Sequence, residues 1–175
     1  MEIRLALADD ADAIERIRIR GWQTAYRHVF PPEKLDALAV DAGRWRASLG
    51  DPGSPFTCLV GEEAGRVVGW ITVGPAREAR RARGEVLGLY VDPGHWGRGA
   101  GRALLERGER ELARSWDDAV LWTLADNPRT RRFYEANGWR PDGGTGVLER
   151  LGVAARVVRY RKRLRTRASS STSRS

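Results

Sequence analysis

The chain has 175 residues, which suits one compact domain with a core of its own. No apolar run approaches the ~18 residues needed to span a bilayer, and a single cysteine, Cys58, rules out an internal disulfide. The formal net charge of +8 comes from eight basic residues beyond position 155. Residues 1–155 hold 23 basic and 23 acidic side chains, so the body shows no nucleic-acid-binding imbalance. The opening Met1-Glu-Ile-Arg-Leu lacks a signal-peptide layout. Together these features set the expectation of a cytoplasmic protein that engages neither membrane nor nucleic acid.

In chain order, Ile3, Leu5 and Leu7 alternate with polar or small residues and predict a first strand. Asp9 or Asp10 caps a helix whose apolar face is Ala13, Ile14, Ile17 and Trp22. A second helical stretch over Trp22–Val29 stops at Pro31-Pro32, and another helix covers Glu33–Leu49 before a Gly/Pro loop. Phe56–Glu62 and Val67–Val73 read as an antiparallel hairpin. An arginine-rich loop, in which the run from Arg77 to Arg83 reads as solvated, leads to the strand Glu85–Val91. A glycine-rich turn, a helix from Gly101 to Ser115 and a strand Ala119–Leu124 follow. Asn127-Pro128 opens a helix that ends at Gly138, since Asn caps, Pro suits the first turn and Gly suits the position past the end. Val153–Leu164 is the last strand. Residues 1–164 are therefore expected to form one domain, and residues 165–175 a disordered Ser/Arg-rich tail. The order of elements predicts an α/β (α+β) layered domain on a mixed sheet.

The chemistry concentrates where a strand runs into Gly97-Arg-Gly-Ala-Gly and then into a helix. Glycines let backbone N–H groups converge and let a ligand approach closely, and the helix terminus adds unpaired donors and partial positive charge. The result is a cradle for a pyrophosphate. It is not a P-loop, because no Gly-Lys-Ser/Thr triplet is present, nor a dinucleotide fingerprint, because Arg102 stands where the third glycine would fall.

This segment resembles the GNAT acetyltransferase family over residues 1 to about 163. The family's (Gln/Arg)-x-x-Gly-x-(Gly/Ala) motif falls on Trp96-Gly-Arg-Gly99-Ala-Gly101, with Trp96 departing from Gln/Arg. A second family motif appears as Asn127, Phe133-Tyr134-Glu135 and Gly138-Trp139. The resemblance implies a mostly antiparallel sheet of six to seven strands flanked by helices, with a splayed parallel pair holding the cofactor. It implies acetyl-CoA as co-substrate, no metal, and an amine acceptor. Backbone groups of Leu89, Tyr90 and Val91 would face the pantetheine arm, and Gly97, Arg98, Gly99, Ala100, Gly101 and Arg102 the pyrophosphate. Asn127 would contact pantetheine, Phe133 would pack beside it, and Tyr134 would protonate the departing thiolate. Some branches place a catalytic glutamate at the offset of Glu85; the alternative strand position is Trp122 here. A carboxylate there, facing an apolar cleft, would have the raised pKa of a general base. His28 and His95 are alternative bases, and water is another. Trp22, Tyr26 and Trp70 are candidates for lining the acceptor pocket. The function implied is N-acetyl transfer to a primary amine of a small molecule or protein by direct attack in a ternary complex. A non-catalytic acyl-CoA-binding or regulatory module is the second reading. Homodimers are common in the family, which leaves that state open here.

Overall fold

The computed structural model describes residues 1–77 and 83–164. Part of the arginine-rich loop and the Ser/Arg tail over 165–175 lie outside the described residues. The elements are β1 (Glu2–Leu5), α1 (Ala11–Ala25), α2 (Pro32–Asp36), α3 (Gly43–Leu49), β2 (Thr57–Glu63), β3 (Arg66–Pro75) and β4 (Gly84–Val91). They continue with α4 (Ala100–Leu112), β5 (Asp118–Leu124), α5 (Pro128–Ala136), β6 (Arg140–Arg150) and β7 (Val153–Arg163). Seven strands form one sheet in the order β1-β2-β3-β4-β5-β7-β6, antiparallel throughout except for the β4–β5 pair.

Strand alternation sends one set of side chains to each face. Leu59, Ile71, Val73, Val86 and Leu121 pack under Leu104, Leu105 and Leu112 of α4. Cys58, Val60 and Trp70 turn to the other face and pack under Ile14 and Ile17 of α1. The Trp70 indole donates to the Ile14 carbonyl at 3.0 Å, which ties α1 to β3.

Three elements differ from the sequence reading. Helix α1 runs unbroken through Trp22, and residues 26–30 form turns on the Tyr26 carbonyl instead of a second helix. The expected helix over 33–49 is two short helices because its apolar residues have two burial targets. Leu35 and Leu38 join Trp22 and Phe30, whereas Trp45 and Leu49 join Trp70. Strand β6 adds an element between Gly138 and Val153, where the sequence reading assigns none. The strand is recruited by β7 alone, as a largely exposed edge with an irregularity between Pro141 and Thr145.

Candidate active site

Strands β4 and β5 pair only over Gly84–Val86 against Ala119–Leu121 and then separate. On its other side β4 stays paired with β3, but Gly88 faces Thr72 while Val86 faces Val73, so Leu87 is a bulged extra residue. A bulge bends its strand and increases the local twist. The opening is a cleft of about 1390 Å³ lined by Leu87–Val91 and by Trp122, Thr123 and Leu124. Single drug-sized ligands occupy roughly 300–1,000 Å³, so this cleft has room for a large ligand beside a second one.

At one end of the cleft lies the glycine turn. Gly97 and Gly99 adopt φ of +77° and +88°, and a Cβ on either would meet nothing within 4 Å. The left-handed backbone explains the glycines, and Gly99 is the N-cap of α4. Gly97, Gly99, Gly101 and Arg102 line the cleft; Arg98 is exposed and Ala100 buried, and neither lines it. Trp96 donates its indole N–H to the Val91 carbonyl at 2.7 Å. The Arg129 guanidinium lies over its ring, 4.0 Å from the centroid. An arginine from the first turn of α5 thus reaches the loop at the place where Trp96 itself offers no cation. Nothing in the local pattern around Arg129 signals this; it depends on how α5 docks.

The second motif faces the same cleft. Asn127 is 5 % exposed; its Oδ1 accepts from Thr130 N at 3.1 Å, capping α5, while its buried Nδ2 has no partner among the described residues. Tyr134, 6 % exposed, packs edge-on against Phe133 and Trp139. Burial, with the Tyr90 phenol nearby, pushes its pKa well above that of an ordinary tyrosine. Tyr90 is held by the Trp22 indole N–H at 3.0 Å and leans on Trp70 at 4.8 Å between centroids. Tyr26 is pushed up as well, by burial and then by the Tyr90 and Tyr134 phenols. Trp22, Tyr26 and Trp70 all line the cleft together with Leu89, Tyr90, Val91, Phe133 and Tyr134. The indole N–H groups of Trp22 and Trp70 are already used, so these two rings present apolar surface.

Glu85 is 1 % exposed and does not itself line the cleft. Its Oε1 accepts from Arg77 Nε at 3.0 Å and Nη2 at 2.5 Å, and its Oε2 from the Arg77 backbone N–H at 2.9 Å. Its immediate partner is therefore a guanidinium, not the apolar surface expected from sequence. One lone pair of Oε2 remains for a further donor. His28 is exposed and meets the Asp126 carbonyl through Nε2 at 2.6 Å. His95 lines the cleft, and its buried Nδ1 has no hydrogen-bond partner among the described residues. Cys58 is buried away from the cleft lining, and burial pushes its thiol up to about 11. Among the described residues no group of three or more His, Cys, Asp or Glu side chains could hold a metal ion.

Comparison with known proteins agrees with this architecture. The Acetyltransferase (GNAT) family matches residues 14–139. An uncharacterized N-acetyltransferase of Archaeoglobus fulgidus is 30% identical over 152 residues, covering 83% of this chain and 99% of the relative. An uncharacterized N-acetyltransferase of Bacillus subtilis is 28% identical over 140 residues, covering 77% of each chain. Among solved structures, an acetyltransferase from Salmonella typhimurium with its cofactor acetyl-CoA superposes with a TM-score of 0.75 at 24% identity, covering 98% of both chains. The splayed β4–β5 pair, the glycine turn at the head of α4 and the extent of the family match leave one assignment: this chain belongs to the GNAT family of acetyltransferases.

Proposed function

We propose that the chain transfers the acetyl group of acetyl-CoA to a primary amine by direct attack in a ternary complex. The observation that carries this reading is the convergence of Gly97, Gly99, Gly101, Arg102, Asn127 and Tyr134 on one cleft between diverging strands. The site fits the co-substrate on three counts. The glycine turn leaves open space where any Cβ would intrude, the buried Asn127 amide nitrogen has no partner within ordinary hydrogen-bond geometry and lies toward the Tyr26 hydroxyl, and β4 beyond Val86 has no strand on its β5 side. Gly97, Gly99, Gly101 and Arg102 hold the pyrophosphate with backbone donors at the head of α4, and Arg129, braced on Trp96, adds a cation there. Leu89, Tyr90 and Val91 face the pantetheine arm, and the Asn127 amide donates to it. Acetyl-CoA supplies an activated thioester.

The residues of the chain then do the rest. Tyr134 holds its proton at neutral pH, the state a donor to a leaving thiolate requires. Glu85 receives the amine proton through water at the remaining lone pair of Oε2, while Arg77 keeps its carboxylate fixed. Trp22, Tyr26 and Trp70 wall the acceptor side. The position of Cys58 gives no support to an acetyl-cysteine intermediate.

The test is thiol release from acetyl-CoA against a panel of amines, with a thermal shift by acetyl-CoA as the binding control. Release with at least one amine is expected. A thermal shift without release from any amine overturns transfer in favour of a non-catalytic acyl-CoA-binding module.

A further inference from the structure

The charged side chains that line the cleft are all basic; among the described residues no Asp or Glu faces it. Arg102 and Arg129 stand at the glycine turn, where phosphates are expected. Four more arginines line the cleft from other elements: Arg18 from α1, Arg44 from α3, Arg77 after β3 and Arg150 at the end of β6. Two of them are held edge-on by buried carboxylates. Arg18 donates from Nε at 2.9 Å and Nη2 at 2.5 Å to the two oxygens of Glu15, which is 4 % exposed, whereas Arg77 donates from the same two nitrogens to Oε1 of Glu85 alone. The Trp45 indole N–H fixes Glu15 from a third side at 3.0 Å. In both arginines Nη1 has no hydrogen-bond partner among the described residues, so each is a braced guanidinium with a free donor. Arg44 and Arg150 are exposed and have no carboxylate within ion-pair distance among the described residues. Glu15 and Glu85 offset two of the four charges and leave two uncompensated. The Arg18 guanidinium lies over the Trp22 ring, 5.8 Å from its centroid, and the Trp22 indole N–H donates to the Tyr90 hydroxyl at 3.0 Å, so Arg18 stands on the Tyr90 side of the cleft.

We infer that the acceptor is an amine that also carries a carboxylate, and that Arg18, Arg44 and Arg150 bind the carboxylate while Arg77 stays on Glu85. Guanidinium forks match planar anions, and braced ones lose little freedom on binding. The same field repels an ammonium group and lowers the pKa of a bound amine, which favours the neutral, nucleophilic form. A polyamine or other purely cationic acceptor has no counterpart in this lining. The inference rests on the acetyl-transfer reading for its chemistry, but the anion site itself has an independent readout.

The test uses matched pairs on the full chain, with amines of nearly equal basicity: 6-aminohexanoate against 6-aminohexanamide, and the peptide amides Ala-Glu-Gly-Gly against Ala-Gln-Gly-Gly. Thiol release should favour the acid in at least one pair by about tenfold or more in kcat/KM, the size of one charge-assisted contact. The responsive pair shows whether the carboxylate belongs to a small molecule or to a peptide. In the double variant Arg44→Ala, Arg150→Ala that ratio should fall below about threefold. The control pair Arg110→Ala, Arg114→Ala, on the far end of α4, should keep it. Equal rates for acid and amide, or faster release with spermidine, overturn the inference. Binding of the N-acetylated acid and amide products in the presence of coenzyme A is measured separately by calorimetry. Acid-selective binding that the Arg44, Arg150 variant abolishes, with no thiol release from any amine, would sink transfer and leave the anion site standing. Equal binding of acid and amide sinks the anion site whatever the turnover.

Discussion

At Tyr134, burial decides the chemistry available. A raised phenol pKa keeps the proton on oxygen through the neutral range, the state that the proposed role of Tyr134 as proton donor requires. Tyr134→Phe should lower kcat by about 10²–10³ while the Kd for acetyl-CoA changes little, measured by thiol release and calorimetry. Because the shift is upward, the kcat profile should show no alkaline loss from Tyr134 below about pH 10. Glu85 is tested by the split between kcat and KM. As the proton acceptor its replacement by Gln lowers kcat by about 10²; a role confined to bracing Arg77 would raise KM and spare kcat. Arg129→Ala should weaken acetyl-CoA binding by about tenfold and flatten its salt dependence. A Kd and salt slope equal to those of the parent would leave the Trp96–Arg129 stack a structural contact only.

The glycine turn and the first strand illustrate the next scale. Gly99 combines a φ of +88° with the N-cap of α4, and a side chain there costs roughly 1–2 kcal/mol in backbone strain. Gly99→Ala should lower Tm by about 2–8 °C, and its methyl group should weaken acetyl-CoA binding beyond that loss. A cofactor Kd unchanged in Gly99→Ala would argue against close approach at this turn. At the other edge of the sheet, Arg4 bridges Asp10 at 2.7 Å and Glu62 at 2.9 Å, clamping β1 to β2 and to the start of α1. The Arg4 hydrogen bond outweighs burial and holds Asp10 below its ordinary pKa. A depressed carboxylate stabilises the fold above its unfolded pKa and loses that contribution as pH falls through the folded value. Asp10→Asn should therefore be less stable than the parent at pH 7 and approach it as pH falls through the depressed folded value of Asp10, followed by thermal melts from pH 7 downward. A gap that stays constant with pH would remove the clamp from the acid response.

For the whole molecule, five of the eight basic residues beyond position 155 lie on β7, and Arg165, Arg167 and Arg174 lie past Leu164; the cleft lining found among the described residues comes from positions up to 157. A chain ending at Leu164 should keep its kcat/KM within about twofold at 0.15 M salt, where screening limits long-range steering. A larger loss would assign the tail a part in turnover.

The two motifs are local in sequence and could be read there. Glycine spacing ahead of α4 and the Asn-Pro start of α5 depend only on backbone geometry, and the chain order of strands and helices then sets the architecture. Other features depended on which partner each segment met. The 33–49 stretch divides because Leu35 and Trp45 bury against different clusters, and β6 exists because β7 offers an unpaired edge. The same holds in the site. Arg77 on Glu85, Arg129 on Trp96 and Arg18 on Glu15 are contacts set by how the chain packs, and no periodicity reports them. Sequence alone determined the family, the glycine turn ahead of α4 and the Asn-capped start of α5, since these follow from residue type at short spacing. Only the tertiary structure decided the sign of the cleft, because the field there is a sum over side chains delivered by α1, α3, β3 and β6.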